Sequence, residues 1–251
     1  MIPKIIHYCW FGHNPLPKSA LKSIESWKKF FPDYEIKEWN EENFDVNSIL
    51  YTRHAYEAGK YAFVSDYARF WILYNYGGLY FDTDVEVIKA MDDIVGRGPF
   101  MGIELPARDG IVPIVNPGLG MGATPGLDMY KILLEKYDSL SFRLKDGSIN
   151  PKAIVAHTTE ILLELGLQVS DSLQCVSGIW IYPHDFFNPL DSLTGRLFIT
   201  NNTRSIHWYM NSWSDTSRLY RWLSRLSHRL FATNLHCFLE TVSSLLNKRH
   251  S

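Results

Sequence analysis

Residues 62–84 read AFVSDYARFWILYNYGGLYFDTD, and no other stretch limits the fold of this chain so strongly. Its first part is helical in spacing and carries two charges, Asp66 and Arg69, in an otherwise apolar and aromatic run. A helix that apolar has to be packed on most of its surface. Gly77-Gly78 ends it. LYFDTDVEVI follows, with the β-branched and aromatic residues of a strand.

The flanking sequence repeats the alternation. IPKIIHYCWF (2–11) is a nearly continuous apolar run and reads as a buried parallel strand. Leu21, Ile24, Trp27 and Phe31 are helically spaced, and Pro32 ends that helix. Residues 34–39 read as a second strand. Residues 47–76 read as a long helical region broken near Gly59. Strand, helix, strand, helix, strand predicts an α/β domain with a largely parallel sheet. Further on, 100–103 and 179–183 read as strands, 203–213 as a strand running into a loop, and 127–137 and 153–165 as helices. With 251 residues the chain suits one large domain with small additions.

Charge and cysteines narrow the class. The net charge is −2, which offers a nucleic acid no electrostatic attraction. Three cysteines, Cys9, Cys175 and Cys237, are far apart and fit a reducing compartment. The N-terminus lacks the layout of a signal peptide, and no apolar run is long enough to span a bilayer. A cytoplasmic protein is expected, peripheral on a membrane at most.

Two aspartates two residues apart on a strand point to the same face. Asp82 and Asp84 would repel unless something positive met them. A hard divalent cation such as Mg²⁺ or Mn²⁺ does this economically, and the carboxyl end of a strand in an open α/β sheet is where ligands gather. The spacing alone is common in a chain with 15 Asp, and a solvated strand end explains it too. Asp66 and Arg69, three apart on a helix, are equally readable as a surface ion pair. The apolar helix around that pair and the Gly-Gly junction favour a site.

The ordered motifs S-D-x-x-R and G-G-x-Y-x-D-x-D resemble the DXD glycosyltransferases of the Och1-like, capsular-polysaccharide type (glycosyltransferase family 32). IPKIIHYCWFG, IYPHDFFNP (181–189) and SIHWYMNSW (205–213) resemble further family stretches, so the resemblance covers roughly residues 1–214. It implies a GT-A fold, a Rossmann-like single domain that binds a nucleotide-sugar with Mn²⁺ or Mg²⁺. By that resemblance Asp84 ligates the metal, with Asp82, Ser212 and His207 around it. Asp66 binds sugar hydroxyls, and Arg69 the sugar or diphosphate. Ser212 and Trp213 close over the diphosphate, with His207 nearby. Trp10, Phe11 and Gly12 lie beside the base, and Gly78 on the substrate side. Glu104 and Asn116 fall where the family places acceptor-side residues. His7 and His54 receive no role.

The resemblance implies a retaining hexosyltransferase that uses a nucleotide-sugar, with UDP the expected nucleotide. The expected acceptor is a glycan on a lipid diphosphate, in bacterial capsule or O-antigen synthesis. Two alternatives stand beside it: a toxin-like effector that glycosylates a host protein, and a nucleotide-sugar-binding protein without catalysis. The tail, 215–251, interleaves Arg218, Arg221, Arg225 and Arg229 with Leu219, Trp222, Leu223 and Leu226. It reads either as an amphipathic helix lying on an anionic inner-membrane surface or as a helix packed on the domain with a solvated basic face.

Overall fold

The computed structural model describes residues 1–108, 111–150, 152–192 and 194–210. The expected boundary at residue 214 and the basic tail lie outside them. In chain order the elements are β1 (Ile5–Cys9), α1 (Lys18–Phe30), β2 (Glu35–Trp39), α2 (Leu50–Glu57), α3 (Tyr61–Tyr76), β3 (Gly78–Tyr80) and β4 (Val85–Val87). Then come α4 (Asp92–Arg97), β5 (Phe100–Leu105), β6 (Ile114–Asn116), β7 (Met121–Ala123), α5 (Asp128–Ser139) and α6 (Ile154–Glu164). The series ends with β8 (Gln174–Val176), β9 (Ile179–Tyr182), α7 (His184–Phe187) and β10 (Ser205–His207).

Eight strands form one sheet in the order β2-β1-β3-β7-β5-β9-β8, with β6 paired to β5. β1 runs parallel to β2 and β3, and β5 parallel to β9. The intervening β7 is antiparallel to both β3 and β5, so β1, β2, β3, β5 and β9 share one direction. β4 leaves this sheet and pairs with β10 in a separate two-stranded ladder. The α/β class expected from the alternation is what the structure shows.

Both faces of the sheet are buried, which is why its strands read as continuous apolar runs. Side chains alternate along each strand. Ile6, Tyr8, Leu79, Phe81 and Phe100 pack on one face with Ile24 and Trp27 of α1. Cys9, Tyr80, Met101 and Ile181 pack on the other with Val64, Phe70 and Leu73 of α3. α1 presents Ala20, Ser23, Ile24 and Trp27 at helical spacing to that core.

At the α3–β3 junction Gly77 and Gly78 adopt φ of 64° and 97°. A Cβ on Gly78 would lie 2.6 Å from the Ile5 carbonyl oxygen, too close for any other residue. His7, which received no role from the sequence, fixes the same junction. Trp39 Nε1 donates to His7 Nδ1 at 3.0 Å, so Nε2 carries the proton that goes to the Gly77 carbonyl at 3.0 Å. Burial lowers the His7 pKa to about 4, which keeps the ring neutral.

Met1–Pro189 and Ile199–Trp208 form one compact unit. In the second unit the described residues include a bridge between Leu190 and Leu197 and a bond from Asp191 N to Arg196 O of 2.9 Å. No helix among the described residues is long and apolar enough to cross a membrane.

Candidate functional site

The strand expected to carry the two aspartates stops before them. β3 ends at Tyr80, and Phe81 N still donates to the His7 carbonyl at 3.2 Å. Val85 N donates to Asp82 O at 3.0 Å, closing a turn over 82–85. The alternation of a strand therefore does not bring Asp82 and Asp84 together. A tight turn does, made where the chain passes from the large sheet to β4.

That passage also delivers His207. β10 pairs antiparallel with β4, placing His207 opposite Val85, and Trp208 N donates to Asp84 O at 3.0 Å. His207 Nε2 lies 3.1 Å from Asp84 Oδ1. Asp82, Asp84 and His207 each offer one ligand atom, and these atoms lie within 4.8 Å of one another. Burial alone would lower the His207 pKa, but the charge and hydrogen bond of Asp84 overcome it and raise it.

Arg69 braces Asp82. Its Nη2 lies 3.0 Å from Asp66 Oδ1 and 3.2 Å from Asp82 Oδ1, and its Nη1 donates to Asp82 Oδ2 at 3.4 Å. Tyr80, two residues before Asp82, donates its hydroxyl to Asp82 Oδ1 at 3.0 Å. The Arg69 side chain is 5% exposed and Asp66 14%, so this is a buried network rather than a surface ion pair. Burial raises the Asp66 pKa to about 6, with Arg69 pulling the other way. Burial also raises the Asp82 pKa, again opposed by Arg69, with Asp84 adding to the rise.

The segment after β6 closes the far side. Asn116 Oδ1 accepts from Gly118 N at 2.7 Å, and Asn116 Nδ2 donates to Glu104 Oε2 at 3.1 Å. Gly118 O accepts from Asp82 N at 3.3 Å. A Cβ on Gly118 would collide with Asp82 Oδ2. The short 3-10 turn Pro117–Leu119 thus forms a backbone wall against the carboxylate, with Glu104 and Asn116 joined to it.

The other expected site residues divide. Trp10 is half-buried just past the carboxyl end of β1, its N–H donating to the Trp39 carbonyl at 2.8 Å and its indole to the Asn14 carbonyl at 2.6 Å. Gly12 N donates to Glu41 Oε1 at 2.6 Å, and the Tyr61 ring occupies the place of a Gly12 side chain. Phe11 is buried edge-on against Phe44, with ring centroids 5.7 Å apart, and belongs to the core. Gly78 starts β3, at the opposite end from Asp82, and shapes the α3–β3 junction. Ser212 and Trp213 lie outside the described residues. Tyr80, Glu86 and Trp208 were given no role, although Tyr80 and Trp208 stand inside the motifs G-G-x-Y-x-D-x-D and SIHWYMNSW. Gly118 was read from the sequence only as part of a backbone turn, Asn116-Pro117-Gly118, lining the acceptor side.

The donor set suits a hard divalent cation. The two carboxylates match Mg²⁺ or Mn²⁺ preferences, and the imidazole favours the transition-metal ion of the two. With Asp66, Asp82 and Asp84 ionised, Arg69 positive and His207 in the neutral form that a metal ligand takes, the cluster carries a net charge of about −2. A divalent ion held by Asp84, His207 and Asp82 would neutralise it.

The comparisons with known proteins bear on this same turn. Residues 17–101, a third of the chain, match the family model described as a glycosyltransferase sugar-binding region containing a DXD motif. Two fission yeast proteins (Schizosaccharomyces pombe) are similar in part. Inositol phosphoceramide mannosyltransferase 1 is 29% identical over 40% of this chain and 33% of its own length. Inositol phosphoceramide mannosyltransferase 3 is 33% identical over 38% of this chain and 27% of its own length. The chain thus spans about a third or less of these curated relatives. A solved glycosyltransferase involved in glycosylation of the major capsid of PBCV-1 is 15% identical, with a TM-score of 0.48, over 87% of this chain and 97% of that one. The matched region contains Asp66, Arg69, Asp82 and Asp84 together, so four residues of the candidate site lie in the part of the chain that is similar to the DXD-containing sugar-binding region of glycosyltransferases.

Proposed function

We propose that this chain is a metal-dependent glycosyltransferase with a GT-A type nucleotide-sugar site, which moves a hexose or N-acetylhexosamine from a UDP-sugar to a glycan acceptor with retention of configuration. The observation that carries the reading is the convergence of Asp82, Asp84 and His207 within 4.8 Å, in a turn inside the matched region. A bound Mn²⁺ or Mg²⁺ would supply Lewis-acid stabilisation of the departing diphosphate. The chain's own residues hold and orient. Arg69 and Tyr80 fix the Asp82 carboxylate, and Asp84 fixes the His207 ring. Glu104 and Asn116 are tied to each other and to the Gly118 wall, and by the family resemblance they are assigned to the acceptor side. By the family resemblance, Ser212 and Trp213 complete the diphosphate site.

The acceptor reading is a membrane-borne one, a glycan on a lipid diphosphate. Two relatives are named for a lipid, inositol phosphoceramide, which supports an acceptor at a membrane surface. The bacterial capsule or O-antigen setting rests on the resemblance alone, since those relatives are fungal. The basic tail 215–251 would hold the enzyme to the anionic inner face of the membrane from the cytoplasm.

Release of nucleoside diphosphate tests the reaction, using UDP- and GDP-sugars with Mn²⁺ or EDTA. Metal-dependent release by the wild type and its loss in Asp84→Asn are expected. Release that EDTA does not reduce would overturn the metal reading. Proton NMR of the product's anomeric signal decides retention. Flotation of the full chain with anionic and neutral vesicles tests attachment, and equal recovery with both would remove it.

A further inference from the structure

β4 directly follows Asp84, yet it is only three residues long and, among the described residues, has one strand partner, β10. Its other edge is closed by helix α1. Trp27 Nε1 donates to the Val85 carbonyl at 2.8 Å, and Ser26 Oγ accepts from Val87 N at 2.9 Å. Two side chains of one helix thus stand in for a missing strand. On the β10 side, Glu86 pairs with Ile206, and Trp208 N reaches Asp84 O.

The side chains continue this arrangement outward. Glu86 Oε2 accepts from Trp208 Nε1 at 2.8 Å and from Lys22 Nζ at 3.3 Å. Lys22 Nζ also lies 6.0 Å from the centre of the Trp208 ring. Trp208 directly follows His207, and Glu86 follows Asp84 by two residues. The pair of residues held at 3.1 Å in the site is therefore held a second time outside it, by the bond between Trp208, next to His207, and Glu86, two residues beyond Asp84.

We propose that Glu86 is a positioning residue for the His207–Asp84 pair, acting through Trp208 with Lys22 as its counter-ion. It touches neither substrate nor reacting atoms. It fixes the Trp208 indole, and with it the end of β10 from which His207 projects. The consequence for metal affinity rests on the metal site proposed above. The positioning itself does not.

Carbethoxylation of His207 by diethyl pyrocarbonate, followed by peptide mass spectrometry on the full chain, reads the clamp without metal. His207 is buried, so its reaction in the wild type is slow. Glu86→Leu and Trp208→Phe each remove a hydrogen bond worth about 1 kcal/mol, and each is expected to speed modification about fivefold. Glu86→Gln keeps an acceptor for the indole and is expected to stay near the wild-type rate. A wild-type rate in both Glu86→Leu and Trp208→Phe would overturn the proposal. Lys22 is exposed, so Lys22→Met preserves the fold should Glu86→Leu not, and speeds modification by a smaller factor.

Mn²⁺ binding, followed by the electron paramagnetic resonance of free Mn²⁺, gives the second arm. Glu86→Leu and Trp208→Phe should bind roughly tenfold more weakly, with Glu86→Gln restored. Wild-type protein that binds no Mn²⁺ would overturn the metal site, and the carbethoxylation rates would still decide the clamp.

Discussion

Arg69 reaches Asp66 and Asp82 with the same nitrogen, Nη2, at 3.0 and 3.2 Å. One guanidinium thus joins the helix that packs behind the sheet to the turn that presents the site. Removing it leaves two carboxylates in a buried place with no cation between them. Arg69→Met is expected to lower stability by about 3–5 kcal/mol in urea denaturation at pH 8. The deficit should shrink at pH 5, because the Asp66 pKa, already raised to about 6 by burial, rises further without the cation and the acid form is neutral. A loss under about 1 kcal/mol at pH 8 would place the pair in the weak class of exposed ion pairs.

Gly118 makes a different kind of contact with the same carboxylate. Its missing side chain is the space that Asp82 Oδ2 occupies. Gly118→Ala is expected to cost about 1–3 kcal/mol of stability, as overpacked sites do. It should also reduce turnover about a hundredfold, because the Asp82 oxygen has to move. Wild-type kinetics in a folded Gly118→Ala protein would show that the Asp82 position does not matter.

Nucleotide and metal should stabilise the fold jointly. A ligand at a hundredfold excess over its Kd adds about 2.7 kcal/mol. UDP with Mn²⁺ is expected to raise Tm, EDTA to abolish the rise, and Asp84→Ala to remove it. GDP, CMP and ADP measured alongside choose the base. A rise unaffected by Asp84→Ala would put the nucleotide somewhere other than this turn.

His157 gives a pH prediction that does not depend on the site. It is buried on α6 beside Tyr137, and burial, with Lys136 and Lys152 adding to it, lowers its pKa to about 4. The folded state binds this proton more weakly than the unfolded state. The stability it leaves intact above pH 6.5 is therefore lost as pH falls toward 4, at about 1.4 kcal/mol per unit. His7 acts in the same direction and Asp66 in the opposite one, so the comparison is made against His157→Phe. Between pH 6 and 5 the wild type should lose about 1 kcal/mol more than the variant. Parallel pH profiles would mean the ring titrates normally.

The long elements were legible because apolar spacing and Gly or Pro stops act locally. α1, α3, β1 and β2 lie where the pattern placed them, and the break near Gly59 separates α2 from α3. β6, β7 and β8 were not read, since three-residue strands show no period and owe their existence to neighbours in the sheet. The carboxylate pair was legible as a pair, but its setting was misjudged. The run LYFDTDVEVI reads as one strand because both halves are apolar. Only the partner β10, more than a hundred residues later, reveals that the second half belongs to another ladder. Arg69 with Asp66 and Asp82 was found as chemistry, Gly118 only as part of a turn on the acceptor side, and Glu86 not at all. A glycine's closeness to a carboxylate and a glutamate's bond to an indole are tertiary facts with no local trace.

The passage from β3 to β4 gives the candidate centre an unusual mechanical character. Asp82 is fastened to the large sheet through Tyr80, to α3 through Arg69 and to the turn after β6 through Gly118, whereas Asp84 and His207 are fastened to the small ladder that rests on α1. An ion gripped by all three would work as a rivet between the two layers. Amide exchange in β4 and β10 would then slow far more than in β1 or β5 when the centre is filled. Occupancy of the donor site would be felt as stiffness in the strand from which the chain departs toward its C-terminus.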